Sequence, residues 1–321
     1  LAKNAETVTD LKPVVIIAGP TASGKSHLAL DIVREFTGTV INADSMQVYR
    51  DLRVLTARPG PEAEKVAPHR LFGVLPAAEA CSVGRWLKLA VAEIEQAQGE
   101  GRLPVVVGGT GLYLKALIEG LAEVPEVSAE INAEVRRRYD EIGGAAFRAE
   151  LATLDPDGAA KLPAGDTQRL KRAMAVVKAT GRPLAHWQRR QADAPRIDVR
   201  FGLIQLTPPR DALYAAVDAR FDAMLAAGAL DEVRELMVLD LDPGLPAMKA
   251  LGVPELSRHL AGDLTLTEAV QQAKQATRNF AKRQLTWLRN QVAADLEIDE
   301  TYGPAMRDRA VDFVRAFVAA G

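Results

Sequence analysis

Short apolar runs rich in β-branched residues alternate with stretches of helical spacing through the first part of the chain, the pattern of an open α/β sheet. Residues 13–18, 39–43, 71–74, 103–107 and 201–206 read as buried strands. Between them, apolar positions recur at helical spacing from Leu28 to Val33 and over 82–98, where Trp86, Leu87 and Ile94 share a face. The Pro- and Glu-containing segment from Thr56 to Arg70 predicts a loop over the strand ends. His69 in it stands beside Arg70 and before an apolar run, and reads as structural.

From about residue 125 to 195 the β-type runs stop. Helical spacing recurs over 130–154 and 167–191, with turns at Gly143-Gly144, Asp155-Pro156-Asp157-Gly158 and Gly181-Arg182-Pro183. Past the last strand the pattern predicts helices over 210–227, 229–239, 253–260, 266–292 and 304–319. The expectation is a parallel sheet core over 12–123 and 197–321, flanked by helices and interrupted by an all-helical insertion over 124–196.

Composition narrows the class without choosing a function. The 321 residues are 48% hydrophobic and 26% charged, ordinary for a globular protein, and no apolar run reaches bilayer length. Cys81 is the only cysteine, which excludes an internal disulfide framework or a Cys-rich zinc site; it reads as a small buried residue. The polar stretch Leu1 to Glu6 has no signal-peptide core, so the expected location is the cytoplasm. Net charge is −2, but basic residues bunch at 136–138, 169–172, 189–190 and 278–289. Each cluster alone suits a solvated helix face; together they tilt modestly toward a phosphate track. Asp166 offers a cap for a helix whose first turns are basic, an arrangement that opposes the macrodipole.

The sharpest signal follows the first strand. Gly19-Pro20-Thr21-Ala22-Ser23-Gly24-Lys25-Ser26 fits G-x-x-x-x-G-K-[ST] between a strand and a helix. Glycines let successive N–H groups converge on phosphate oxygens, Lys25 adds a point charge and Ser26 a hydroxyl suited to Mg²⁺. By motif the loop is nucleotide-binding, ATP included, and the fold class is P-loop NTPase-like. The second strand ends at Asp44, which should face the same crevice. The fourth run ends in Gly108-Gly109-Thr110-Gly111, where a motor ATPase would often carry an aspartate. Two chemistries fit these groups. A small-molecule kinase would use Asp44 as base toward an acceptor hydroxyl; a prenyl transfer would use the loop to hold a pyrophosphate leaving group. The residues by themselves do not separate the two, nor do they exclude an RNA-binding P-loop protein without catalysis.

The phosphate loop, Asn42-Ala43-Asp44-Ser45-Met46-Gln47-Val48-Tyr49, Thr56-Ala57-Arg58-Pro59, Gly108-Gly109-Thr110-Gly111-Leu112-Tyr113 and Ala281-Lys282-Arg283-Gln284-Leu285-Thr286-Trp287 together resemble the bacterial tRNA dimethylallyltransferases. The resemblance runs in order from about residue 13 to 292. It implies transfer of a dimethylallyl group from its diphosphate to the exocyclic amine of the adenosine 3′ of the tRNA anticodon. It further implies Mg²⁺, tRNA as partner, no membrane and a monomer. By position it makes Asp44 the general base, has Thr110 orient the reacting groups and brings Arg220 to the diphosphate. Gly19, Thr21, Ala22, Ser23, Gly24, Lys25 and Ser26 would hold diphosphate, with Ser26 toward the metal. Asp44, Ser45, Met46, Gln47, Gln168, Arg169, Leu170, Lys171, Arg172, Lys249 to Pro254 and the run Lys282 to Arg289, with Arg283 in it, would contact tRNA. The target adenine would be flipped out of the loop, and the helical insertion would grip the anticodon stem-loop. Val253 departs from the family's Tyr, and Asn132 stands near an expected basic contact.

Overall fold

The computed structural model describes residues 11–189 and 196–320; Leu1 to Glu6, Arg190 and the end of the helix expected to reach 191 lie outside them. Two compact units form, residues 119–196 and the remainder of the chain.

The larger unit is built on six parallel strands: β1 (Lys12–Ala18), β2 (Gly38–Asn42), β3 (His69–Arg70), β4 (Leu103–Gly108), β5 (Val199–Leu206) and β6 (Leu296–Ile298), in the order β3-β2-β4-β1-β5-β6. Strand alternation explains the two layers of helices. Even-numbered positions of β1, Val14, Ile16 and Ala18, pack with Val106 and Leu203 of the neighbouring strands and with Trp86, Ala90 and Ile94. Odd positions Val15 and Ile17 pack with Val105, Ile204, Leu28, Ile32, Met306 and Val314.

The helices of this unit are α1 (Lys25–Glu35), α2 (Pro61–Val66), α3 (Val83–Gly99) and α4 (Gly111–Glu119). The helical unit then contributes α5 (Ala129–Leu154), α6 (Pro156–Lys161), α7 (Thr167–Thr180) and α8 (Leu184–Gln188). Back in the larger unit come α9 (Arg210–Ala226), α10 (Ala229–Val238), α11 (Val253–Leu260), α12 (Leu266–Gln291) and α13 (Pro304–Ala319). α12 starts at a capping box between Thr265 and Glu268.

The structure departs from the pattern in places with identifiable causes. The strand expected at 71–74 is instead β3, because Leu71 at φ 64° and Gly73 at φ 62° turn the chain. Leu71 is buried all the same, while Phe72 and Gly73 are half-buried and Val74 is exposed, so the run is a turn anchored by one buried residue. Pro61, at the first turn of α2, starts a helix inside the expected loop. His69 is structural: its Nδ1 lies 2.9 Å from the Ala67 carbonyl, and burial lowers the ring pKa. Cys81 is half-buried, not fully so, and burial raises its thiol pKa.

The helical unit has its own core, in which Val135, Phe147, Leu151, Leu170, Met174 and Val177 meet. Ser128, Asp155 and Asp166 cap α5, α6 and α7, accepting from the N–H groups of Ile131, Gly158 and Arg169. The Gly143-Gly144 turn is a kink inside α5, with Gly143 at φ 73°. A side chain on Gly144 would collide with the Ala164 carbonyl.

Candidate active site

β1 delivers the chain into the phosphate loop, where Ala22 at φ 62° and Gly24 at φ 91° bend the backbone before α1. Alternation of left- and right-handed residues makes an anion-binding concavity of N–H groups. The first turn of α1 contains no acidic residue, so nothing on it counters the positive helix end. Lys25 donates from Nζ to the Pro20 carbonyl at 2.6 Å, folded back over the loop. Burial lowers its pKa to about 8; Asp44 works against that shift and Arg220 adds to it. Ser26 is exposed, and the Ser23 hydroxyl is buried without a hydrogen-bond partner among the described residues.

Asp44 leaves the end of β2 in a fixed turn. The Asn42 side chain accepts from the Asp44 N–H at 2.8 Å and donates to the carbonyls of Asp44 and Leu71, both at 3.0 Å. The Trp86 indole N–H donates to the Asn42 carbonyl at 2.8 Å, and Trp86 stacks on Tyr113 at 4.3 Å between centroids. Asp44 Oδ1 accepts from the Met46 N–H at 2.9 Å, which orients the carboxylate and leaves Oδ2 for other work. Thr110 Oγ1 accepts from the Ser45 N–H at 2.9 Å and donates to Ser45 Oγ at 3.3 Å. The ends of β2 and β4 are thereby joined. Any side chain on Gly108 would strike the Ala43 backbone there, so this strand end requires glycine.

Arg220 reaches the site from α9. Its guanidinium donates to the Thr56 carbonyl at 3.4 Å; burial lowers its pKa and Asp44 raises it. Both cations thus feel the charge of the one carboxylate. Sequence reasoning missed the group that sets the 53–56 turn: Glu232 on α10 accepts from the N–H groups of Arg53, Val54 and Leu55 at 2.5, 2.7 and 2.9 Å. One Glu in an amphipathic helix gives no signal of that role. Gln47 is half-buried and donates to the carbonyls of Thr56 and Ala57 at 2.8 and 3.2 Å; Ser45 and Met46 are half-buried beside it.

α12 carries the third part. Arg278 pairs with Asp218 at 2.6 Å and Lys274 with Asp222 at 2.6 Å, whereas Lys282, Arg283 and Arg289 are exposed and have no acidic partner among the described residues. Lys282 and Arg283 border a cavity of about 510 Å³ together with Asn279, Thr286 and Trp287. Trp287 lies so close to Gly111 that a side chain there would collide with its ring. Gln284, inside the run expected to contact tRNA, is instead buried and bonded to the phosphate loop. It falls on the face of the buried residues Ala281 and Leu288, and that spacing is the available signal.

The remaining candidates lie elsewhere. Lys249 is exposed on the turn Ala247–Lys249, with no acidic partner among the described residues. Val253 is buried, so the family's aromatic position offers no surface here. In the helical unit Gln168, Arg169 and Arg172 are exposed on α7, Arg169 pairs with Asp166 at 3.4 Å, and Lys171 pairs with Asp140 at 3.1 Å. Leu170 corrects the expectation: fully buried in the core of that unit, its side chain has no surface to offer RNA. Asn132 spends its amide on the carbonyls of Val127 and Ser128, both at 3.0 Å.

A family profile described as IPP transferase matches residues 47–291, and one described as isopentenyl transferase matches 12–76. The chain is 58% identical to a tRNA dimethylallyltransferase of Rhodospirillum centenum, over 90% of this chain and 92% of the relative. It is 52% identical to that of Rhodospirillum rubrum, over 96% of each. Among solved structures it is similar to a tRNA isopentenylpyrophosphate transferase of Bacillus halodurans, with TM-score 0.68 and 32% identity over 97% of this chain and 96% of that one. A eukaryotic dimethylallyltransferase described as acting on tRNA aligns with TM-score 0.82 and 26% identity, over 96% of this chain and 80% of that one.

Proposed function

This chain belongs to the IPP transferase family, and from that premise we propose how its crevice works as a tRNA dimethylallyltransferase. The enzyme transfers a dimethylallyl group from dimethylallyl diphosphate to the N6 amine of the adenosine 3′-adjacent to the anticodon, releasing diphosphate. The observation that carries the assignment of roles is the grouping of Lys25, Asp44 and Arg220 within electrostatic reach of one another at the strand ends.

The Thr21 N–H is held by Gln284, so the N–H groups from Ala22 to Ser26 receive the diphosphate, together with Lys25 and Arg220. As the bond between C1 and the bridging oxygen breaks, its electron pair leaves with the diphosphate, where these donors stabilise it. The N6 lone pair bonds to C1, and Asp44 Oδ2, the oxygen not held by Met46, takes the N6 proton. Thr110 keeps that carboxylate turn in place through Ser45. The exposed Ser26 hydroxyl and the unpartnered Ser23 hydroxyl fit Mg²⁺, an ion usually bound through few protein oxygens plus substrate phosphates. Ser26 would hold it, and the ion would supply further neutralisation of the leaving group.

Lys282, Arg283 and Arg289, with Ser45 to Gln47 and Lys249, are assigned to tRNA, as are Gln168, Arg169, Lys171 and Arg172 of the helical unit, which takes the anticodon stem-loop. Among the described residues no helix is long and apolar enough to cross a membrane. A cytoplasmic monomer fits this reading.

The test incubates the protein with Mg²⁺, labelled dimethylallyl diphosphate and an anticodon stem-loop carrying A, or in a parallel tube G, beside the anticodon. Label enters the A-containing RNA alone. Asp44→Asn keeps the acceptor for Met46, lowers transfer by about 10²–10⁴-fold and leaves RNA affinity within a few-fold. Consumption of ATP stimulated by a small metabolite, with no labelled RNA, would instead establish a kinase.

A further inference from the structure

Gln284 is buried on α12, 7% exposed, and both ends of its amide are used. Its Oε1 accepts from the Thr21 N–H at 2.8 Å, and its Nε2 donates to the Gly109 carbonyl at 2.9 Å. The first partner opens the phosphate loop; the second immediately precedes Thr110. A side chain on Gly109 would collide with Gln284 and crowd the Gly19 carbonyl, so three segments converge on this amide. On the same helix, one and two residues before it and five after it, stand the exposed cations Arg283, Lys282 and Arg289. The helix does not need Gln284 to stay seated, since Ala281 and Leu288 are fully buried on either side.

We propose that Gln284 is a positioning residue that couples the two substrates: RNA drawn onto α12 fixes, through this amide, the loop that receives diphosphate. The proposal rests on the assignment of α12 to tRNA. Its physical basis is directional. An acceptor held at Thr21 orders the loop, and a donor held at Gly109 sets the Thr110 turn at the opposite wall. A helix steadied by RNA phosphates steadies both at once, so each substrate tightens the other by the same factor. The Thr21 N–H is also spent on Gln284, which leaves the later N–H groups of the loop to meet phosphate.

The experiment measures the affinity of inorganic diphosphate with Mg²⁺, by calorimetry, with and without a saturating anticodon stem-loop. In the wild-type protein RNA tightens diphosphate by about fivefold or more, the range typical of coupled sites. Gln284→Met keeps the volume, removes both hydrogen bonds and brings the ratio close to one, with RNA affinity within a few-fold. Gln284→Glu keeps the acceptor for Thr21, turns a carboxylate toward the Gly109 carbonyl and gives an intermediate ratio. An unchanged ratio in Gln284→Met overturns the proposal, as does a wild-type ratio of one. Loss of both affinities with a collapsed thermal midpoint in both variants overturns it too, by showing a merely structural residue. Failure of the wild type to bind the stem-loop at all is a different result: it sinks the assignment of α12 to tRNA.

Discussion

At the scale of single residues, Lys25 sets a pH dependence whose sign follows from its position. Its folded pKa, about 8, lies below the ordinary lysine value of 10.5, because burial disfavours the ammonium more than Asp44 favours it. Between those values the unfolded chain holds the extra proton, so this group's contribution to stability rises with pH through that window and is constant below it. A bound diphosphate reverses the preference by giving the charge a partner. The dissociation constant of dimethylallyl diphosphate should therefore rise as pH passes about 8, approaching tenfold per unit. Lys25→Arg, which keeps its charge throughout, removes that dependence; titrations at a series of pH values check both. The motif makes Lys25 and Ser26 legible from sequence, because strand, glycines and helix must occur in that order to work. Glu232 and Asn42 are not legible as site residues, since each acts on backbone groups brought near by the fold.

At the scale of elements, α12 shows why charge counting along a sequence falls short. Its helical spacing is visible over 266–292, and so are its basic residues. Invisible is which of them are neutralised: Asp218 and Asp222 on α9 claim Arg278 and Lys274. Only a cation without an acidic partner gives its charge wholly to a phosphate. Replacing Lys282, Arg283 or Arg289 by Ala should weaken stem-loop binding and flatten the plot of log affinity against log salt by about 0.7–0.9 per charge. Arg278→Ala should leave that slope unchanged, as filter binding across a salt series would reveal. β3 and α4 teach a different lesson. The apolar run at 71–74 resembles a strand because burial and β-pairing share a hydrophobic signature, yet Leu71 is buried at a left-handed angle. The glycines of Gly108-Gly109-Thr110-Gly111 hide the start of α4, since glycine is a poor helix former.

At the scale of the whole molecule, the long strands are legible because a parallel sheet buries both faces, and continuous apolar runs follow. Strand order is not, and β6, at three residues, is too short to show a period. That order has a temporal side. β1 lies between β4 and β5, with Ile16 paired to Val106 on one side and Leu203 on the other. A ribosome delivers β1 and β4 early, then adds the whole helical unit before β5 emerges. At about 5–20 residues per second, the nascent sheet spends several seconds with one edge of its central strand open. An open edge is a template for the wrong partner. Stalled nascent chains ending just before residue 199 should thus stay protease-sensitive in β1 and bind chaperones, and chains in which residue 206 has cleared the exit tunnel should lose both properties. The helical unit, whose described core residues are all its own, is free to fold during that wait.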